Sequence, residues 1–208
     1  MASKFSFLEA TVMRRSTIDL KKDSTIPDSR IIEIVNHAIL HTPSPFHVQS
    51  TRAVVLLHGD HDKFWDMAYA HAEKNYPPEM FQGRIVPNLK SFKGSYATVL
   101  FYDDPEAVNG MPPMLGNLIK SFPDWAEHSN GMAQYIAWTA FCAEGLGGNI
   151  QHYQKNGLTE KISAEWGLPA HWDLKAQMNI GTPNGPPRGG VEKAFADLEP
   201  RVKVFGKN

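Results

Sequence analysis

The chain has 208 residues, 42% apolar and 21% charged, with 21 Lys and Arg against 22 Asp and Glu. A net charge of −1 argues against a binder of nucleic acid or anionic membrane driven by charge. A lone cysteine, Cys142, excludes an internal disulfide framework and a multi-cysteine metal cluster, and the longest apolar run, residues 53–57, is far too short to span a membrane.

The length fits one domain over residues 1–208, or one protomer of an oligomer. Ser6 and Glu9 form a capping-box pattern, so a first helix is expected over residues 6–15. Pro27, Asp28 and Ser29 open a second helix, with Ile31, Ile32, Val35, Ala38 and Ile39 at helical spacing, and Pro43 closes it. Residues 53–57 read as a buried strand bounded by Gly59 and Asp60, followed by a helix over 61–75 that stops at Pro77 and Pro78. Residues 96–102 give a second strand. The stretch 103–123, punctuated by Pro105, Gly110, Pro112, Pro113 and Gly116, reads as an excursion holding a short helix or two.

Residues 130–146 carry apolar side chains on nearly every side, as a central buried helix does, and Gly145, Gly147 and Gly148 end it. A shorter helix is expected over 160–166. A third strand follows over 172–181, with Leu174, Ala176, Met178 and Ile180 alternating against polar neighbours. Residues 182–190 form a Pro/Gly-rich loop, and residues 201–205 alternate with period two, which predicts a last strand. Helices mixed with a few strands give an α+β layered domain. The N-terminus has no apolar core before Arg14, so no signal peptide is expected and the location reads as cytoplasmic, with nuclear presence open as well.

Four clusters bear on chemistry. Arg14, Arg15 and Ser16 close the first helix, where arginines ordinarily complement the helix dipole. Residues 43–50, including Ser44, Pro45, Phe46, His47 and Gln49, make a Pro-Ser turn between a helix and a buried strand. Residues 145–152 combine glycines with Ile150, Gln151 and His152, but they follow a helix and lack the Gly-x-Gly-x-x-Gly spacing, so a Rossmann site fails; a P-loop is absent too. Arg201 and Lys203 would share one face of the last strand and suit a phosphate. Together these supply cations at both chain ends, a turn able to lie beside a ring, and a glycine-rich segment permitting close approach, which are the needs of a phosphorylated planar cofactor.

In this order and spacing, Arg14-Arg15-Ser16, Pro43-Ser44 with Gln49, Gly145-Leu146-Gly147-Gly148 with Ile150-Gln151, and the terminal basic pair resemble the FMN-dependent nitroreductases, in particular their short fungal and bacterial branch. The resemblance implies a homodimeric three-layer α/β/α fold with a central, mostly antiparallel sheet and an FMN site at each end of the subunit interface. It assigns Arg14, Arg15 and Ser16 to the phosphate and ribityl chain, and Arg201 and Lys203 to the phosphate. Ser44, Pro45 and Phe46 fall against the ring, supplied by the other subunit of the dimer, with His47 and Gln49 hydrogen-bonding nearby, and Ile150, Gln151 and His152 at its reactive edge; Lys90 or Lys93 adds charge at the pyrimidine end. The activity it implies is hydride transfer from NAD(P)H through flavin N5 to a nitroaromatic or quinone-like acceptor in ping-pong order. Such chemistry rests with the flavin, in keeping with the lack of a catalytic triad or carboxylate pair, and the 103–125 excursion would select the acceptor.

Two positions depart from the family pattern: His47 stands where an Asn is usual, and Ile18 where a basic residue is frequent. Rival readings keep the flavin but change its use, to a biosynthetic flavoenzyme acting on one metabolite or to a flavin-binding regulatory or stress protein. A metal site built on the His58-x-x-His61 pair beside Asp62 has weak spacing and no evident further ligand, and Cys142 reads as a small core filler.

Overall fold

The computed structural model describes residues 5–154, 157–190 and 192–207. In chain order it contains α1 (Phe7–Met13), β1 (Leu20–Lys21), α2 (Asp28–His41), β2 (Thr51–Leu57), α3 (His58–Asn75), the single turn α4 (Pro78–Met80), α5 (Val86–Lys93), β3 (Ala97–Asp103), α6 (Phe122–Ala143), β4 (Gly147–Gln151), α7 (Leu158–Trp166) and β5 (Asp173–Pro183). Among the described residues no helix is long and apolar enough to cross a membrane.

The named strands pair antiparallel: β2 with β3, β3 with β5, and β5 with both β4 and the two-residue β1. β3 is buried along its whole length, as a strand covered on both faces must be. On one face Leu56, Leu100 and Tyr102 pack against Trp65 of α3, Leu89 of α5 and Ile162 of α7. On the other, Val99, Phe101 and Met178 pack against Ile31 of α2 and Ala133 and Phe141 of α6. These are the three α/β/α layers expected from the sequence.

The local signals explain most boundaries. The capping box at α1 forms, with the Ser6 N–H donating to the Glu9 carboxylate at 2.7 Å and the Glu9 N–H donating to Ser6 Oγ at 3.3 Å. α6 begins eight residues before the expected start, because Pro123 occupies its first turn, where a missing N–H costs nothing. α5 carries Pro87 in the same way and was not anticipated. Gly59 and Asp60 do not bound a turn; they lie in the first turn of α3, which follows β2 directly through His58 at φ 49°.

Three strand expectations change. Residues 147–151 are β4 rather than a loop. A bulge between Phe101 and Tyr102 skips Lys175, so Leu174 joins the α3/α5/α7 side while Met178 and Ile180 join the α2/α6 side. The last strand over 201–205 is not formed: Arg201 ends a 3₁₀ turn (Glu199–Arg201), and residues 202–205 run on exposed, without a ladder in this chain. Alternation alone cannot make a strand where no neighbour supplies the other half of the hydrogen bonds.

Candidate cofactor site

The chain leaves α1 at Arg14 and runs beside β4. Ser16 bridges Gly148 in parallel, the Thr17 N–H donates to the Gly148 carbonyl at 2.9 Å, and the Arg188 N–H donates to the Ser16 carbonyl at 2.7 Å. The first and third sequence clusters, 130 residues apart, are therefore one structure. Gly147 and Gly148 serve that junction. A Cβ at Gly147 would lie 2.7 Å from Leu20 Cδ2, and one at Gly148 would lie 3.1 Å from both the Asn179 carbonyl and Trp138 Nε1. They permit close packing of the chain on itself, a different use from the open approach to a ligand expected from the sequence.

Cations gather here. The Arg14 guanidinium lies 4.3 Å from the Trp138 ring centroid and 5.9 Å from that of Tyr135, and its Nε is buried without a hydrogen-bond partner. Arg15 donates to the Gly190 carbonyl at 3.0 Å, and Lys193 donates to the Val12 carbonyl. Desolvation, then the positive charges of Arg14 and Arg15, push the Lys193 ammonium below the usual lysine range. Lys193 shares a positive field that a phosphate would relieve.

Behind this junction a buried polar row crosses the sheet. Asn149, Asn179 and Thr98 are cross-strand partners, each at most 1% exposed. Asn149 Nδ2 donates to the Thr17 carbonyl at 2.8 Å, while its Oδ1 accepts from Gln151 Nε2 at 2.9 Å and from Asn179 Nδ2 at 3.1 Å. Thr98 Oγ1 lies 3.0 Å from Asn179 Oδ1, 2.9 Å from His61 Nδ1 and 2.9 Å from the donor Trp65 Nε1. His61 Nε2 meets the Lys93 carbonyl at 3.1 Å. Burial pushes the His61 pKa below its ordinary value, against the opposing effect of that carbonyl.

The 44–49 turn stands elsewhere along α6. Ser44 Oγ accepts the Gln49 N–H at 2.9 Å, and Arg52 ties the turn down by donating to the Gln49 carbonyl at 2.6 Å while paired with Asp104 at 2.7 Å. Phe46, His47 and Gln49 all have positive φ, near 50–58°. Left-handed backbone costs an L-residue roughly 1–2 kcal/mol, and such strain concentrates where function requires it. Phe46 stacks on Phe122 at 5.9 Å, and with Trp125 and Met132 it lines a mostly apolar cavity of about 450 Å³. Positions 125–132 and position 138 bracket the two halves of the candidate site on α6, a helical rise on the order of 10–20 Å.

The remaining sequence candidates fall as follows. Ile150 and Gln151 end β4 beside the junction, and His152 Nδ1 contacts the Lys175 carbonyl at 3.0 Å. Lys90 and Lys93 lie on α5, whose Ser91 donates to the Ile18 carbonyl at 3.1 Å; Lys93 itself pairs with Asp66. Arg201 and Lys203 lie on the exposed arm, with Lys203 paired to Glu199 at 2.6 Å. His58 pairs with Asp28, and His61 faces Thr98, so the two histidines point to different partners. Cys142 is half-buried, and burial raises its thiol pKa. Sequence reasoning missed Lys193, Trp138 and Asn149; only Asn149, inside the quoted 145–152 segment, carried a signal that could have pointed to it.

The Nitroreductase family model matches residues 11–182. HBN1 of Saccharomyces cerevisiae, which carries a nitroreductase designation, is 31% identical over 99% of this chain and 100% of its own length. The structure of nitroreductase CinD from Lactococcus lactis in complex with chloramphenicol is similar at a TM-score of 0.81, with 30% identity over 96% of this chain and 100% of that one. The FMN-dependent nitroreductase NfnB from Mycobacterium smegmatis, in complex with NADPH, shares the fold at a TM-score of 0.70 and 15% identity, covering 97% of this chain and 98% of that one. Its three layers and the match over residues 11–182 place the chain in the nitroreductase family.

Proposed function

We propose that residues 1–208 form one FMN-binding unit of an NAD(P)H-dependent oxidoreductase that reduces nitroaromatic or quinone-like acceptors. The observation that carries this reading is the cluster of cations at the α1–β4 junction: a buried Arg14 Nε with no hydrogen bond, and a Lys193 whose charge is disfavoured by burial and by Arg14 and Arg15. A phosphate dianion, such as the one FMN carries, satisfies both. CinD, also solved with 4-nitrophenol, supports the acceptor class.

FMN would supply the two-electron chemistry, taking hydride from NAD(P)H at N5 and passing it to the acceptor in ping-pong order. The chain's part is binding and orientation. Arg14, Arg15, Ser16 and Lys193 hold the phosphate end; Ile150, Gln151 and His152 flank the reactive edge. Ser44, Pro45, Phe46, His47 and Gln49 present a rigid apolar wall, with Arg52 fixing its pitch. The working form is a homodimer, which brings Arg201 and Lys203 of the arm to a site and covers apolar side chains exposed here, such as Leu8 at 72% and Phe205 at 91%.

A spectrum tests the reading. Purified protein is expected to show flavin absorbance, to bleach with NADH or NADPH, and to recover on adding 4-nitrophenol or a quinone. Protein that stays colourless after incubation with FMN refutes the cofactor. Colour that NAD(P)H does not bleach refutes the reductase.

A further inference from the structure

We propose that Asn149 is the positioning residue of the cofactor cradle, held in one orientation by the buried row Asn179–Thr98 with His61 and Trp65; this rests on the flavin reading of residues 14–16 and 150–151. Asn149 touches both segments at once, through the Thr17 carbonyl at 2.8 Å and Gln151 Nε2 at 2.9 Å. It thereby sets the register between the extended segment that follows the arginines and the strand end carrying Gln151.

The orientation of each amide is forced. The Thr17 carbonyl can only accept, so Asn149 turns its NH₂ there and its oxygen to the other side. That oxygen must then be met by donors, which fixes the NH₂ groups of Gln151 and Asn179 toward it. Asn179 Oδ1 is left facing the Thr98 hydroxyl, whose single hydrogen lies between that oxygen and His61 Nδ1, since the His61 Nε2–H is turned to the Lys93 carbonyl. Trp65 Nε1 is only a donor and occupies a Thr98 lone pair, and His61 completes the hydroxyl's surroundings. Reversing any one amide would set like groups against each other in a fully buried row, where unpaired polar groups are costly. An apolar row would pack the same space without that cost, but it would not specify which way the Gln151 amide and the Thr17 peptide face.

The test is FMN affinity, read by quenching of flavin fluorescence on titration with apo-protein. Thr98→Val, isosteric but without the hydroxyl, and Asn149→Asp, isosteric but without the NH₂, are each expected to weaken FMN binding roughly tenfold. Thr98→Ser, which keeps the hydroxyl, should bind as the wild type does. Val99→Ala, a core truncation on the opposite sheet face, serves as the stability control, with folding followed by circular dichroism in urea. Unchanged affinity in both Thr98→Val and Asn149→Asp overturns the proposal. So does an affinity loss in Val99→Ala equal to theirs, since the row would then act through stability alone. A wild-type protein that binds no FMN overturns the flavin reading itself, an outcome distinct from a bound flavin indifferent to the row.

Discussion

Replacing Gly181 with alanine is the sharpest perturbation the sheet offers. A Cβ there would lie 2.5 Å from the Lys21 carbonyl oxygen, 3.1 Å from the Tyr96 nitrogen and 3.4 Å from Leu20 Cβ. The closest atom is backbone, so no side-chain rotation relieves the contact; β1 must withdraw by at least about half an ångström. The Tyr96 side is pinned, because that N–H donates to the Ile180 carbonyl at 2.9 Å. Overpacking of this kind costs roughly 1–3 kcal/mol, and weakening the Leu20↔Pro183 and Lys21↔Thr182 pairing adds about 0.5–1.5 kcal/mol. The total, about 1.5–4.5 kcal/mol, corresponds to a Tm lowered by roughly 3–18 °C in a protein of this size. Thermal melts by circular dichroism check it, against Gly131→Ala in α6, where a Cβ meets nothing within 4 Å and helix propensity should add up to about 1 kcal/mol. A Gly181→Ala protein melting with the wild type, or a Gly131→Ala protein losing as much, would refute the steric reasoning.

Two other expectations concern charge. Burial holds the His61 pKa in the folded chain below its ordinary value, so between that lowered folded-state pKa and about pH 6.5 the unfolded chain binds the proton the folded one refuses. His61's contribution to stability is thus full above about pH 6.5 and declines as the pH falls; urea midpoints should drop more steeply toward pH 5.5 in the wild type than in His61→Gln, and equal slopes would sink the assignment. Arg14→Ala should weaken FMN binding by roughly tenfold or more, with Arg14→Lys intermediate because lysine cannot stack its charge on Trp138 in the same way. Arg201→Ala combined with Lys203→Ala should weaken it too. FMN affinities that match the wild type, with the same salt dependence, would remove these residues from the phosphate site.

Much of this was legible in the residues. The capping box, the proline stops and the apolar strands at 53–57 and 96–102 are local signals, and the structure follows them. The start of α6 lay hidden at the end of the Pro/Gly-punctuated 103–123 stretch, because a proline that breaks a helix in its interior can begin one at its first turn, as Pro123 does. β4 was hidden because Gly147 and Gly148 have no strand propensity; they form a strand because only glycine fits between Leu20, Trp138 and Asn179. The bulge at Lys175 reassigns Leu174 to the opposite face, which period-two reading cannot foresee. Of the site, the ordered motifs were visible, whereas Lys193 and Trp138 were not. Their place beside Arg14 comes from chain segments that meet only in the folded state.

β5 pairs with β1, β3 and β4, yet it begins at Asp173, late in the chain. The sheet therefore has no hub until most of the polypeptide has been made, and its pairings reach back from Thr182 to Lys21. During synthesis β2 and β3 can form only a hairpin with long apolar faces, open at the edge where β5 belongs. High contact order of this kind slows folding, so a chain released early, or cut before β5, would carry every candidate site segment before residue 173 and still have no frame to hold them together.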